Sequence, residues 1–450
     1  MERRNVIVEY RADPELDRQA TSEVSSLDPE PLAHLLDVDD VAFDVDFAPV
    51  RLPATDPRDS AELSGTGSTV VVDLSPERAT YILRAEADEA QIELLRARDA
   101  VVGVFSDPVV ERCLTCIDSP AVGTDADVER LLGVASLRDC ALDGAGVHVA
   151  ICDTGLNIEY LQEHGKTPEF WAEGSWGYGG RLPLGAMPVD HGTMCAYDVC
   201  IAAPACTLVD VALLRPLAGG LQSVLSDAVR AYSHLRDILT GSLRPADLKA
   251  LVVSNSWGMF HPSWDLPPGD AGNYSDNPNH PFNRAVAALE ALGADILFAA
   301  GNCGPQCPDS RCQGVSSNAI YGANGHPAVL SVAGVDTHNE RVGYSAIGPG
   351  RLADRKPDVA GYTHFKGSEV FDNDGGTSAA CPVVAGVLAA VRTKRTYDKA
   401  DPSTAPGAIR ALLTSTARDL GAQGYDYECG YGVVDGERLR DEVCEEPDRG

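Results

Sequence analysis

The feature that most constrains this chain is a series of short, almost wholly apolar runs separated by longer amphipathic segments. The runs are VHVAIC ending at Cys152, TLVDVALL at Leu214, ALVVSNS at Ser256, DILFAA at Ala300 and AVLSVAGV at Val335. Near-continuous apolar runs of this length are typical of strands covered on both faces. The segments between them, such as the one that starts at Leu221, repeat apolar residues at three- and four-residue steps, as helices do. The alternation predicts an α/β domain with a mostly parallel central sheet over residues 132–440.

The first 130 residues lack these long buried runs and read as a separate unit. Within residues 80–110, TYILRAEA predicts a strand, EAQIELLRAR a helix and AVVGVFSDPVV a further pair of strands. NVIVEY near the start can supply one more strand. We therefore predict a small α/β domain over residues 1–110, a linker over 111–131 and a charged tail over 441–450.

The charge balance excludes one class of partner. The chain carries 67 acidic and 36 basic residues, a formal net charge of −31. Because sequence-independent binding to nucleic acid depends on clustered Lys and Arg, nucleic acid is not expected as a partner. The opening segment MERRNVIVEY lacks the apolar core of a secretory signal, and no run of 18 apolar residues occurs. No membrane partner is expected, and a cytoplasmic location is the default expectation.

Four segments place polar residues at the end of a predicted strand or the start of a predicted helix. They contain, in order, Asp153 in VAICDTGLN, His191 in DHGTMCAYDV, Asn302 in FAAGNCGP and Ser378 in DGGTSAACPVV. Taken singly, each has an ordinary structural explanation as a turn residue, a core histidine or a helix cap. An aspartic protease needs two carboxylates that share one proton, and a single Asp-Thr-Gly supplies only one of them.

Taken together, the segments resemble the subtilisin-like serine peptidase family (subtilases), whose catalytic residues follow the order Asp, His, Ser. The flanking residues match as well, with DTG at Asp153, HGT at His191, AAGN at Asn302 and GTS at Ser378. The resemblance implies a three-layer domain that acts as a serine endopeptidase through an acyl-enzyme, with no cofactor required for the chemistry. Asp153, His191 and Ser378 would form the catalytic triad, and the Asn302 amide would stabilise the oxyanion.

The resemblance also implies how a polypeptide substrate binds. An extended peptide would add as a strand between two exposed backbone walls, with alternate side chains in pockets. One wall would be Ser256, Trp257 and Gly258, and the other would run from Leu217 through Ala218 to Gly219 and Gly220. Whether the Trp257 ring enters the specificity pocket is left open.

The N-terminal domain resembles the propeptide that chaperones such enzymes and then blocks their active site. The resemblance implies an intramolecular inhibitor and a cleavage between about residues 111 and 129. A regulatory domain that is never removed is equally allowed.

Thirteen cysteines leave several interpretations open. Cys152, Cys195 and Cys381 flank the triad residues, and buried structural thiols are the preferred interpretation. Sensitivity to mercurials would follow if Cys195 lies beneath His191, as in family members with HGT-x-Cys. The trio Cys303, Cys307 and Cys312 allows a disulfide or structural thiols, a metal, or redox control of the pocket.

The insertion from Phe260 to Asn283 concentrates carboxylate and amide side chains among turn residues. Oxygen ligands of this kind suit Ca²⁺, which stabilises many subtilisin-like enzymes, but their spacing matches no specific calcium loop. A polar surface loop is the alternative to a structural Ca²⁺ site.

Two other classes of function remain compatible with these motifs. One is a catalytically silent subtilisin-like fold that binds peptides. The other is an esterase or a transpeptidase that uses the same acyl-enzyme.

Overall fold

The computed structural model describes residues 3–11, 41–52, 60–65, 68–73, 80–112, 119–178, 183–217, 220–241 and 243–444. Its strands are β1 Arg4–Arg11, β2 Ala42–Phe43, β3 Val50–Leu52, β4 Ser60–Gly65, β5 Ser68–Asp73, β6 Thr80–Ala87, β7 Val101–Ser106, β8 Val109–Arg112, β9 Val147–Asp153, β10 Glu169–Phe170, β11 Trp176–Gly177, β12 Thr207–Ala212, β13 Arg215–Leu217, β14 Gly220–Val224, β15 Ala250–Asn255, β16 Trp257–Gly258, β17 Ala294–Ala299, β18 Leu330–Val335 and β19 Val359–Tyr362. Its helices are α1 Glu89–Arg96, α2 Asp125–Leu131, α3 Val134–Asp139, α4 Ile158–Glu163, α5 His191–Ala202, α6 Leu225–Thr240, α7 Pro281–Ala291, α8 Gly376–Arg392, α9 Pro406–Thr416 and α10 Gly436–Cys444.

The central sheet has the strand order β10-β12-β9-β15-β17-β18-β19, and β11 also pairs with β12. Every pairing in it is parallel. The five apolar runs of the sequence form β9, β12, β15, β17 and β18, and every residue of these strands is buried. The predicted three-layer α/β fold with a mostly parallel sheet is confirmed.

Helices α5 and α8 lie in the core of this domain and are buried along their whole length. Small residues allow the two helices to approach closely. A Cβ atom added at Gly386 of α8 would lie only 2.3 Å from the carbonyl oxygen of Val199 in α5. The backbones therefore touch at this point, which holds the first turns of both helices at a set spacing.

A second compact unit comprises residues 1–109 together with Val224–Arg244 and Pro262–Ala288. Its main sheet has the order β2-β6-β1-β7, with β3 also on β6, and all its pairings are antiparallel. Helix α1 starts with a capping box in which Asp88 and Gln91 each bond the backbone of the other. The unit is larger than residues 1–110 because two later segments of the chain pack within it.

Arg84 joins the strands of this unit to the start of α6. Its guanidinium donates to Ser226 Oγ at 2.7 Å and to Asp227 Oδ1 at 2.6 Å. Asp107 accepts from the backbone N–H of Ser226 at 2.8 Å and from its hydroxyl at 2.7 Å. A carboxylate on the first N–H groups of a helix is favoured by the hydrogen bond and by the helix dipole.

Two segments without predicted elements contain secondary structure. The expected linker contains the last two residues of β8, whose first two residues belong to a predicted strand, and all of helix α2, where the Thr124 side chain accepts from the N–H of Asp127. The first residues of the expected tail belong to α10, where Leu439 is buried and Cys444 forms a disulfide with Cys140. The sequence did not predict this helix, because most of its residues are charged and only one narrow face of it is apolar. No helix in the described ranges is long and apolar enough to cross a membrane.

The end of α8 provides a test of the core. Arg392 forms a bidentate ion pair with Asp295 of β17, at 2.6 and 2.8 Å, and both side chains are buried. Arg392→Met should lower the free energy of unfolding by about 3–5 kcal/mol, because it leaves the Asp295 carboxylate buried without its counter-ion. Denaturant unfolding in the Ser378→Ala background, chosen to exclude self-digestion by the predicted peptidase, measures this. The control Arg130→Met removes an exposed pair with Asp127 and should cost less than about 1 kcal/mol; equal losses in the two variants would contradict the argument.

Candidate active site

Asp153 and His191 form a buried hydrogen-bonded pair. Asp153 is the last residue of β9, and His191 is the first residue of α5. The Nδ1 atom of His191 lies 2.9 and 3.0 Å from the two carboxylate oxygens of Asp153. Because a carboxylate accepts hydrogen bonds, Nδ1 carries the proton and Nε2 is left as the basic nitrogen. His191 Nε2 is buried and has no hydrogen-bond partner among the described residues.

The DTG and HGT triplets interlock around this pair. The Asp153 carboxylate accepts from the N–H of Thr154 at 2.7 Å, and the Thr154 hydroxyl accepts from the N–H of Gly192 at 2.9 Å. A Cβ atom at Gly192 would lie 2.5 Å from the carbonyl oxygen of Gly155. Glycine is therefore required after the histidine, and the two turns hold the imidazole against the carboxylate.

Ser378 is the third residue of α8 and is fully buried. Pro382, one helical turn later, has no N–H and cannot donate the usual hydrogen bond to the Ser378 carbonyl. That carbonyl instead accepts from the Ser256 hydroxyl at 2.9 Å and from the Cys195 thiol at 3.6 Å. The Ser378 hydroxyl lies 3.4 Å from the carbonyl oxygen of Ser256. Ser378 is thus held in position by Ser256, the residue that follows strand β15.

Cys195 touches all three candidate triad residues. Its Sγ atom lies 3.9 Å from His191 Nδ1, 3.9 Å from Asp153 Oδ2 and 3.6 Å from the Ser378 carbonyl. Burial and then the Asp153 charge raise the pKa of the Cys195 thiol well above its usual value. The thiol therefore stays protonated, and it acts as a packing group beneath the histidine.

Asn302 follows β17 and is held by the residue before the serine. Its Oδ1 accepts from the Thr377 N–H at 2.9 Å and from the Thr377 hydroxyl at 3.0 Å. Gly376 has φ +74°, and a Cβ atom there would lie 2.8 Å from Asn302 Nδ2 and 3.4 Å from Ser378 Oγ. The glycine thus leaves a small space between an amide donor and a hydroxyl, at the N-terminus of a helix whose dipole favours negative charge.

The predicted substrate walls enclose a strand of the chain itself. β8 lies between β14 and β16, with Arg112 opposite Trp257 and Glu111 opposite Gly258 in antiparallel register. Gly220 opens β14, whereas Gly219 and Ala218 lie outside the described residues. Trp257 is fully buried, and its ring packs edge-on against Phe298 at 5.2 Å. Its side chain therefore belongs to the core.

The other cysteines settle several open alternatives. Cys152 and Cys381 are buried and form no disulfide among the described residues, in agreement with the structural interpretation. Cys303 and Cys312 form a disulfide, so these two thiols are not available to a zinc ion. The disulfide alternative is correct for this pair.

The insertion after Phe260 does not fit a Ca²⁺ site at its most buried carboxylate. Asp265 accepts from the Ser106 hydroxyl at 2.6 Å, the Tyr274 N–H at 2.9 Å and the Ser275 N–H at 2.8 Å. Asp270 is paired with Arg96 at 2.6 Å. The carboxylate oxygens of Asp265 and Asp270 thus already accept from O–H, N–H and guanidinium donors. A Ca²⁺ ion bound to them would face the positive ends of these donors. The arrangement is that of a polar loop tied to its neighbours.

Sequence reasoning missed a pocket next to Asn302. Gly258 and Phe260 line it on one side and Asn302 on another, and Tyr321 and Asn324 complete it. Tyr321 and Asn324 come from YGANG, a glycine-rich stretch between strands that reads as an ordinary turn. Nothing in its spacing points to the active site, because the fold alone brings it there.

Comparison with known proteins gives the same family as the motifs. The subtilase family matches residues 144–432, and the chain therefore belongs to that family. It is 27% identical over 328 residues to fervidolysin of Fervidobacterium pennivorans and 25% identical over 358 residues to kexin of Saccharomyces cerevisiae. These alignments cover 65% and 74% of this chain but only 40% and 39% of the two relatives. Subtilisin DY of Bacillus licheniformis is 30% identical over 144 residues, which is 32% of this chain and 47% of that protein.

The position of Cys195 predicts inhibition by mercurials. A Hg²⁺ ion bound to its sulfur would lie against the His191–Asp153 pair and disturb the geometry of the imidazole. Activity of the wild type should fall progressively with Hg²⁺, and the Cys195→Val variant, which preserves the packing, should resist it. The measurement is the rate of peptide hydrolysis after timed incubation, with recovery on adding excess thiol. Equal sensitivity of the two proteins would place the inhibitory site elsewhere.

Proposed function

We propose that this chain is a serine endopeptidase that hydrolyses polypeptides through an acyl-enzyme formed on Ser378. The observation that carries the proposal is the convergence of Asp153, His191 and Ser378 on one thiol, that of Cys195, within 3.9 Å. Membership of the subtilase family supports the same chemistry.

The proposed reaction begins with attack by the Ser378 hydroxyl on a peptide carbonyl. A serine hydroxyl is a weak nucleophile unless a base removes its proton, and neutral imidazole is suited to that role near neutral pH. His191 Nε2 takes the proton, and Asp153 fixes the ring and stabilises the imidazolium. His191 then gives the proton to the leaving amine, and water repeats the sequence to release the acyl group.

The negative charge on the tetrahedral intermediate needs donors that are already in place. Asn302 Nδ2 borders the space left by Gly376, and the N-terminus of α8 adds a favourable dipole. Loss of one such donor typically costs about 10²–10³ in kcat, a value taken from subtilisin itself. Asn302 is thus the proposed oxyanion-stabilising side chain. No cofactor is part of this mechanism.

The N-terminal domain is proposed to inhibit the enzyme within the same chain. β8 occupies the space between β14 and β16, where a substrate strand would bind. A peptide that already pairs with both walls excludes another one. The domain boundaries near residues 110 and 131 are part of this proposal.

The two disulfides bear on the location of the chain. Because disulfides persist in oxidising compartments, a compartment of that kind suits the chain better than the cytoplasm.

Labelling with a fluorophosphonate tests the nucleophile. The processed wild type should be labelled on Ser378, and Ser378→Ala should not be labelled. Asn302→Ala should fold normally and be acylated by peptide substrates about 10²–10³ times more slowly. Circular dichroism controls for folding, and parallel peptide and ester substrates separate a peptidase from an esterase. Equal labelling of the wild type and Ser378→Ala would overturn the assignment.

Expression of the full chain tests the intramolecular inhibitor. Wild type should be cut within residues 111–129, because β8 pairs with β16 in the antiparallel manner proposed for a substrate strand. The Ser378→Ala protein should remain intact under the same conditions. Intact mass spectrometry and N-terminal sequencing locate the cut. An uncut wild type with full peptidase activity would contradict the inhibitory role.

A further inference from the structure

The pocket beside Asn302 is placed to receive one particular substrate side chain. It is bounded by residues 258–260, by residues 300–303 and by the side chains of Tyr321 and Asn324, and we call it the specificity pocket. Gly258 belongs to the strand that pairs with a substrate backbone, and Asn302 borders the site of the scissile carbonyl. The side chain of the residue just before the scissile bond therefore enters this pocket. This step rests on the proposed peptidase function.

The side-chain amide of Asn324, which lines the pocket, has a fixed orientation. Its Nδ2 donates to the carbonyl oxygens of Trp257 and Ala299, both at 2.9 Å. Because both partners are acceptors, the amide cannot be turned around, and the orientation of the side chain is determined. Asn324 is 3% exposed, and its Oδ1 atom has no hydrogen-bond partner in the part of the chain that the structure describes. A residue that lines the pocket therefore carries an acceptor without a donor among the described residues.

Tyr321 adds a second polar group without a partner. The residue is 2% exposed, and its hydroxyl makes no hydrogen bond to any described residue. Burial raises the pKa of Tyr321, so the hydroxyl keeps its proton and can donate. Buried polar atoms are nearly always paired, and leaving them unpaired costs stability. Two residues that line one pocket thus each carry a buried polar atom without a partner among the described residues, and a bound ligand can supply those partners.

The charge of the pocket restricts that ligand further. The described lining contains no Asp, Glu, Lys or Arg. Arg311 stacks on the Phe260 ring at 3.7 Å, but its guanidinium is held by Asp309 at 2.8 Å. A charged substrate side chain would have no counter-ion in this lining, which is unfavourable for a buried charge; Arg351, whose charge acts on Tyr321, lies outside the lining. A carboxylate would in addition face the Asn324 oxygen.

We propose that the specificity pocket selects an uncharged carboxamide, the side chain of Gln or Asn, in the residue before the scissile bond. Its amide NH₂ donates to Asn324 Oδ1, and its oxygen accepts from the Tyr321 hydroxyl. The ring of Phe260 packs against the methylene groups. A pocket that hydrogen-bonds its substrate rejects an analogue that lacks those groups, because its own polar atoms are then left unpaired.

The test uses four fluorogenic peptides that differ only in the residue before the scissile bond. The protein is the processed form obtained by expressing the full chain. Gln is compared with Met, which has similar length but no hydrogen-bonding amide, with Glu and with Lys. We expect kcat/KM for the Gln peptide to exceed each of the others by at least about tenfold. Tyr321→Phe should lower kcat/KM for Gln by about tenfold and leave Met nearly unchanged.

Tyr425→Phe is the matched control. Its hydroxyl is likewise buried and unpartnered in the described chain, but the ring contacts Tyr427 and Tyr431, outside the specificity pocket. It should change none of the four rates. A wild type that prefers Met, Glu or Lys, or that cleaves none of the four but cleaves other peptides, overturns the proposal and leaves the peptidase function intact. An equal loss on all peptides in Tyr321→Phe also overturns it. Absence of both labelling and cleavage rejects the proposed function as well.

Discussion

The close contact between helices α5 and α8 is the constraint on which the site depends. Gly386 allows the backbones to touch at Val199, and the Cys195 thiol then reaches the carbonyl of Ser378. His191 and Ser378 each lie at the start of one of these helices, whereas Asp153 ends strand β9 and Asn302 follows strand β17. Because the helices and strands are buried along their length, none of the four side chains depends on a flexible loop for its position.

Sequence reasoning succeeded where one local rule determines the outcome. The five apolar runs became the buried strands because a two-sided parallel sheet accepts little else. The order and flanking residues of Asp153, His191, Asn302 and Ser378 led to the family. The structure then gave a physical reason for the flanking residues, since Thr154, Gly192, Gly376 and Thr377 each hold or make room for a neighbour.

Features that depend on distant contacts could not be predicted in this way. The direction of the Trp257 ring is decided by Phe298, and the surroundings of Asp265 by Ser106, which is far away in the sequence. Helix α10 lies in a charged segment and is held by Leu439 and a disulfide. Tyr321 and Asn324 carry no motif, and their importance comes from the hydrogen bonds that their polar atoms do not make.

The disulfide between Cys140 and Cys444 has a consequence for the durability of the molecule. The two cysteines are 304 residues apart, and Asp153, His191, Asn302 and Ser378 all lie between them. The domain is therefore a covalent ring. A proteolytic nick in any surface loop between the two cysteines opens the ring but releases no fragment, so the halves remain at high effective concentration and can stay assembled. If the proposed peptidase cuts other copies of itself, the disulfide keeps the two parts of a cut molecule joined.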